Sequence, residues 1–487
     1  MEMQIALVIV IIYMFSLLFV SWWSTRLQKK GGSNSFLFAD QQLNWVLIGV
    51  MIAGLAVGGS STVGIAQRAY ASGLSAGWYD VAWAVGALFT GIFLAQKIRK
   101  STFKTINEMW GRVFGEGFRT VSVVIQFVIL LVIVALQIVA GGAILTALLP
   151  QYFTMQIALI VSAAMFLLIA IVGGLWAASL SNIINMIVIY VGIILGVVAA
   201  IKGFGGLAAI NATLPAGISG DGSHWYSLVK GMGMAVILAW FITMLLQGIP
   251  NAGIMQSVVA AKSPKEARKG VIFAAILMAP AGFISAMFGI MAASQFPDLA
   301  NSALALPSVV TAAVSPVIAG LLLSGLWAAD VSTATGLMVT LGTMGTKDII
   351  VKYFKKDMSD AGQLKTSRWM ILFCAVAAYI LATQVSSVLG TLMVALTMFA
   401  PYAILMTAMF LMPKTVKKSS AWVTFLVGLG FFVLSQFFVK SLAIGGQSIY
   451  TVFIASLVAF ILCAIFDKRP APVANLYKTE EELSKEA

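Results

Sequence analysis

Thirteen long apolar runs alternate along this chain with short polar segments, and nearly all of its basic residues fall in every second one of those segments. The runs cover about 4–23, 43–71, 74–95, 120–149, 155–172, 178–201, 224–248, 270–293, 316–341, 369–383, 388–412, 421–439 and 448–466. Crossing a hydrocarbon core about 30 Å thick takes roughly 20 apolar residues of helix. In lipid the backbone must satisfy its own hydrogen bonds, so runs of this length read as helices. Of the thirty Lys and Arg, only Arg68, Lys202, Lys230 and Lys440 lie outside the alternate segments. That bias places the basic segments on the cytoplasmic side. The first run has no basic residue before it, and Arg26, Lys29 and Lys30 come after it. A signal peptide has the reverse polarity. The expectation is an all-α protein of thirteen transmembrane helices in the plasma (bacterial inner) membrane. Its N-terminus lies outside and its C-terminus inside. One transmembrane domain covers 1–467, and a charged tail, 468–487, is too short for a sensor or kinase domain.

Composition agrees with this class. Hydrophobic residues make up 61% of the chain and charged residues 10%, which excludes a soluble globular protein. The net charge of +13 could suggest nucleic acid, but its placement reports topology instead, so no nucleic-acid partner is expected. Cys374 and Cys463 both fall in apolar runs and read as packing residues. The single histidine, His224, leaves no room for a His-rich metal site or a Ser-His-Asp triad.

Chemistry concentrates in three places. The run 316–341 contains AADVSTATG, Ala328 to Gly336. A carboxylate at mid-bilayer costs at least about 2.5 kcal/mol, so it is normally kept for a task. On a helix Asp330 and Thr333 share a face, and Ala329 and Ser332 share the adjoining one. Hydroxyls, a carboxylate and a carbonyl freed by bending are hard ligands that suit Na+. The second run carries Gly49, Gly54, Gly58, Gly59 and Gly64 around Ser60, Ser61 and Thr62. The seventh continues into Ile249, Pro250, Asn251, Ala252 and Gly253. Interruptions at matching positions of two halves point to an inverted repeat with broken helices at the midplane. Close packing through small residues would explain the glycines, but it explains the Ser-Ser-Thr cluster poorly.

At these residues the chain resembles the sodium:solute symporter family. QSVVAAKSPKEARKG (Gln256–Gly270) is similar to the family signature after its broken sixth core helix. TINEMWGRVFG (Thr105–Gly115) resembles the cytoplasmic loop between core helices two and three. AADVSTATG resembles the eighth-core-helix motif, and TKDIIVKYF (Thr346–Phe354) is similar to the family's next segment along the chain. The resemblance spans roughly 35–415. It implies a leucine-transporter-type core of five plus five helices, with repeats about 43–201 and 224–412, one extra helix before and two after. It also implies Na+ as coupling ion, held by carbonyls of Gly54, Val57 and Ala329 and hydroxyls of Ser332 and Thr333. Ser60, Ser61, Gln137 and Asn251 match substrate-site positions. For Gln137 an interhelical hydrogen bond is an equal reading.

The chain also departs from the family pattern. Ala56 stands where several members have Asp or Asn, and Asn182 where Asp is often found. Asp330 stands where an apolar residue is usual. Of the acidic residues, only Asp330 is expected deep in the membrane; Asp80 is expected near a helix end, paired with Arg68 or Lys230. Asp330 is therefore added to the candidate sodium residues as the balancing charge. The expected activity is Na+-coupled symport of a small polar organic solute, an amino acid or small organic acid, into the cell. One copy of the chain in the bilayer should suffice. A proton-coupled transporter using Asp330 is the alternative. A membrane enzyme would need a nucleophile–base pair that the chain does not display.

Overall fold

The computed structural model describes residues 2–483 except 25, 27–32, 386, 387 and 480; among them it is helical, with two isolated bridges and no strand. The first helix is α1 (Glu2–Ser24). A broken pair comes next, α2 (Trp45–Ala56) and α3 (Gly59–Ser72). After it lie α4 (Trp78–Phe89), the short amphipathic α5 (Ile106–Phe114), α6 (Glu116–Leu148) and α7 (Met155–Gly203). The second broken pair is α8 (Met234–Gly248) and α9 (Ala252–Val259). Then come α10 (Pro264–Met278), α11 (Ala281–Gln295) and α12 (Pro316–Thr343), the last running on as a π-helical segment to Phe354. The chain ends with α13 (Asp360–Ala382), α14 (Val388–Thr397), α15 (Ala400–Leu411), α16 (Ser420–Val433) and α17 (Ser448–Phe466).

Local sequence explains many boundaries. Asn44 caps α2 by accepting from Leu47 N at 3.0 Å, and Thr105 caps α5 by accepting from Glu108 N at 3.1 Å. Ser263 caps α10, with Pro264 in its first turn. Gly115 joins α5 to α6 at φ 86°, which a side chain would strain. Large apolar residues such as Ile187, Phe373, Ile380 and Ile465 stay exposed on outward helix faces, as a lipid-facing surface requires.

Two faces can be told apart. Trp45 N donates to Glu266 Oε2 at 2.8 Å, so α2 begins beside the basic start of α10. Lys352 pairs with Glu116 at 2.9 Å, which puts the end of the α12 helix and the start of α6 on one face. The opposite ends lie on the far face. Helical assignment runs unbroken through α7, yet Met155 packs beside Gly142, near the end of α6, and Gly203 packs on Ala313, just before α12. Both ends of α7 therefore lie on the far face, which a straight helix of 49 residues cannot achieve. The chain crosses twice there, in the apolar spans Met155–Val172 and Ser179–Gly203.

Several expectations change. Nine helices among the described residues are long and apolar enough to cross a membrane, eleven if each bent pair counts as one span. The count of thirteen is not reached, partly because Trp45–Ala56 is short and much of α1 lies outside the described side chains. The seventh run does not begin at His224. That residue sits buried in a glycine-rich loop, its Nδ1 2.8 Å from Ser219 Oγ, and the helix starts after Gly233. A third interruption, which periodicity did not reveal, bends α14 against α15 by 44°. Cys374 and Cys463 are buried and unbridged.

Buried charge is also more extensive than expected. Asp80 and Asp348 join Asp330 as fully buried carboxylates. Asp80 does not pair with Arg68 or Lys230; neither of its oxygens has a hydrogen-bond partner. Asp348 lies on the π-helical segment. It accepts from Arg119 Nη2 at 2.7 Å, Thr105 Oγ1 at 2.9 Å and Asn107 Nδ2 at 3.3 Å.

Candidate transport site

The first broken pair owes its shape to two residues. Val57 (φ −89°, ψ 75°) and Gly58 (φ −114°, ψ 177°) leave the helical region, and α3 restarts at Gly59. In an unbroken helix Gly58 N would bond Gly54 O. Here it donates to Ser61 Oγ at 3.2 Å, and that hydroxyl donates back to Gly58 O at 3.0 Å. Thr62 Oγ1 also donates to Gly58 O, at 3.0 Å. The freed Gly54 carbonyl accepts from Thr333 Oγ1 on α12.

Glycine lets α12 come this close. A Cβ on Gly59 would lie 2.2 Å from Asp330 Oδ2, and one on Gly58 would lie 3.0 Å from Thr333 Oγ1. The Asp330 carboxylate thus rests on the first residue of α3, where the helix dipole favours negative charge. Gln137 on α6 reaches the same spot, its Oε1 3.7 Å from that Gly58 Cβ position. Asn182 on α7 lies over Gly54, its Oδ1 2.6 Å from where a Cβ would be. Both amide oxygens are buried without a hydrogen-bond partner. Oxygen groups from α2, α6, α7 and α12 therefore meet at one break. The set is hard, buried and rich in acceptors, which fits a small monovalent cation.

The individual expectations fare differently. Gly54, Val57, Asp330 and Thr333 come together, and Ala329 lies buried one turn before Thr333. The side chains of Ser60 and Ser332 lie outside the described residues, although both positions are in helices. Ser61 is occupied in capping α3. Asn251 caps α9, accepting from Ile254 N at 3.0 Å and donating to Gln247 Oε1 at 3.0 Å. Asn182, which was not among the candidate residues, joins the site.

A cavity of about 490 Å³ opens on the far face. It is lined by Gly64, Gln67 and Arg68 of α3, Trp240 and Thr243 of α8, and Thr397 of α14, among others. On the basic side Gln256 of α9 ties separate segments together. Its Nε2 donates to Leu37 O (2.7 Å) and Thr343 Oγ1 (3.3 Å), while its Oε1 accepts from Thr340 Oγ1 (2.5 Å). Gln256 opens the motif Gln256–Gly270, but spacing alone assigns it no partner.

The sodium:solute symporter family model matches residues 36–428. The chain belongs to the sodium:solute symporter family. Among its relatives is the sodium/glucose cotransporter of Vibrio parahaemolyticus, 25% identical over 92% of this chain and 88% of that one. The osmoregulated proline transporter of Bacillus subtilis is 22% identical over 97% of each chain. The sodium/proline symporter of Haemophilus influenzae is 24% identical over 92% and 94%. Among solved structures, the substrate-bound outward-open state of a Na+-coupled sialic acid symporter superposes with a TM-score of 0.77 at 16% identity, covering 96% of this chain and 98% of that one. A closed nucleobase-cation symporter gives 0.63 at 14% identity, over 93% and 97%. The fold is the leucine-transporter type, and the chain is a multi-pass membrane transporter rather than an enzyme.

Proposed function

We propose that this symporter couples inward Na+ movement to uptake of a small polar organic solute by alternating access. The observation behind the reading is the first break, where Gly54 O, Thr333 Oγ1 and the Asp330 carboxylate converge among buried oxygens. Carbonyls of Gly54, Val57 and Ala329, with hydroxyls of Ser332 and Thr333, would bind Na+. Asp330 would balance its charge, because a cation in a low-dielectric site benefits from one nearby negative group. Ser60, Ser61, Gln137 and Asn251 would face the solute from the two breaks and α6. The relatives' names, sodium/glucose and sodium/proline, support sodium coupling and leave the solute open. One charge moving across 100 mV releases about 2.3 kcal/mol, enough for more than a tenfold gradient at about 1.4 kcal/mol per decade.

The test is Na+ binding to purified protein, read by Na+-dependent thermal stabilisation. Replacing Ser332 and Thr333 together by Ala should raise the half-saturating Na+ concentration at least tenfold, since a dry site offers no replacement ligand. Asp330→Asn keeps shape and removes charge, and it should weaken Na+ binding while the protein still folds. Unchanged Na+ dependence in both variants would sink the assignment. Stabilisation that tracks pH and ignores Na+ would favour proton coupling through Asp330.

A further inference from the structure

Resting on that reading, the far-face cavity narrows the class of solute. Its lining combines neutral hydrogen-bonding groups (Gln67, Thr243, Ser302, Gln447) with apolar surface from Trp240 and Met393. Among the described lining residues one carries charge: Arg68. It projects from α3 about two and a half turns beyond the break at Gly59 and is exposed to the cavity. No described carboxylate forms an ion pair with it. Asp80, the acidic residue of the neighbouring α4, is fully buried rather than turned into this space. Lys230, another far-face cation, is held at Ser223 Oγ, 3.2 Å away in the outer loop.

A guanidinium with no ion-pair partner in a concave mouth has a defined consequence. Field lines are focused by the walls, and anions are concentrated while cations are repelled. Guanidinium also matches a carboxylate in planar geometry, with two parallel hydrogen bonds available. No described carboxylate in the lining could receive an ammonium group. We propose that Arg68 is the capture and specificity residue for a solute that is a small organic anion, a monocarboxylate with an apolar body. The carboxylate meets Arg68, and the body lies against Trp240 and Met393. Bound anion cancels the Arg68 charge, so anion and Na+ favour each other's binding.

The experiment uses the full chain in detergent or nanodiscs. Na+ binding is measured first by thermal stabilisation, with no solute added. Acetate, propionate, lactate and pyruvate are then compared with acetamide, lactamide, proline and glucose, in Na+ and in choline. At least one of the four carboxylates should stabilise the protein in Na+, and its neutral amide should be at least tenfold weaker. Arg68→Gln should raise the apparent Kd for that carboxylate at least tenfold, with a shallower dependence on ionic strength and unchanged folding. Arg68→Lys keeps the charge but loses the planar two-bond geometry, so it should recover only part of the loss. The proposal is overturned if none of the four carboxylates binds, if proline, glucose or an amide binds as well, or if Arg68→Gln binds like wild type. Wild-type protein without Na+ stabilisation would instead overturn the sodium-coupled reading on which the proposal rests.

Discussion

The two broken helices share a shape but not an environment. At the first break α3 restarts against another layer of the protein: Asp330 and Thr333 of α12 press onto Gly59, Gly58 and Gly54. At the second break α8 and α9 meet at a bend of 42°. Thr90 Oγ1 donates to Gly248 O at 3.0 Å, and a Cβ on Gly248 would meet Gly86 backbone at 2.9 Å. Asn251 caps α9 and bonds back to Gln247. At both breaks a carbonyl accepts from a threonine hydroxyl of another helix, Gly54 O from Thr333 and Gly248 O from Thr90; at the first, a carboxylate also presses on the restart and the unpartnered amide oxygens of Gln137 and Asn182 stand beside it. Breaking a helix is not sufficient to make an ion site. On the proposed reading, the first break would hold the cation because unsatisfied acceptors stand beside it.

The largest expected contrast comes from glycine. Gly59→Ala would place a methyl 2.2 Å from the Asp330 carboxylate, so Na+-dependent stabilisation and uptake should fall at least tenfold. Gly253→Ala meets the flexible end of Leu55 at 2.8 Å and should leave Na+ affinity within about twofold, after rotamer adjustment. Equal losses in the two variants, measured side by side, would erase the distinction between the breaks.

A smaller effect separates capping from coupling. Asn251→Ala removes the cap of α9 and should cost about 1 kcal/mol of stability, seen as a lower melting temperature with Na+ affinity retained. A variant with normal melting but altered solute affinity would instead give Asn251 a direct contact with solute. The smallest effect belongs to Thr90→Val. It strips the hydroxyl from Gly248 O and should cost roughly 0.5–1.5 kcal/mol. No change in solute or Na+ affinity is expected; a shifted Na+ requirement would mean that the second break also reports to the cation.

Much was legible in the residues themselves. Apolar runs and basic segments identified a polytopic helical protein because bilayer thickness and backbone hydrogen bonding allow little else. Gly54, Gly58 and Gly59 marked one break, and Ile249, Pro250 and Asn251 the other, because these residues remove or redirect helix bonds. AADVSTATG marked the helix that faces the first break, since polar groups at that depth need partners. Periodicity also limited how many helix ends could be placed, and it missed both the late start of α8 and the bend between α14 and α15.

Only the tertiary structure decided the rest, because it depends on which distant groups share one small volume. Asn182 lies over Gly54 from 128 positions away in the chain, and no local pattern records that meeting. Asp348 looked like part of a polar loop. It is buried because Arg119, Thr105 and Asn107 supply three donors across an interface between separate segments. Asp80 looked like a helix-end charge that would pair with Arg68, yet α4 turns it inward and leaves Arg68 in the cavity. Burial energy and hydrogen-bond distance act between neighbours in space. The chain's own pattern determines which helices form and where they break, and packing determines which of their polar groups meet.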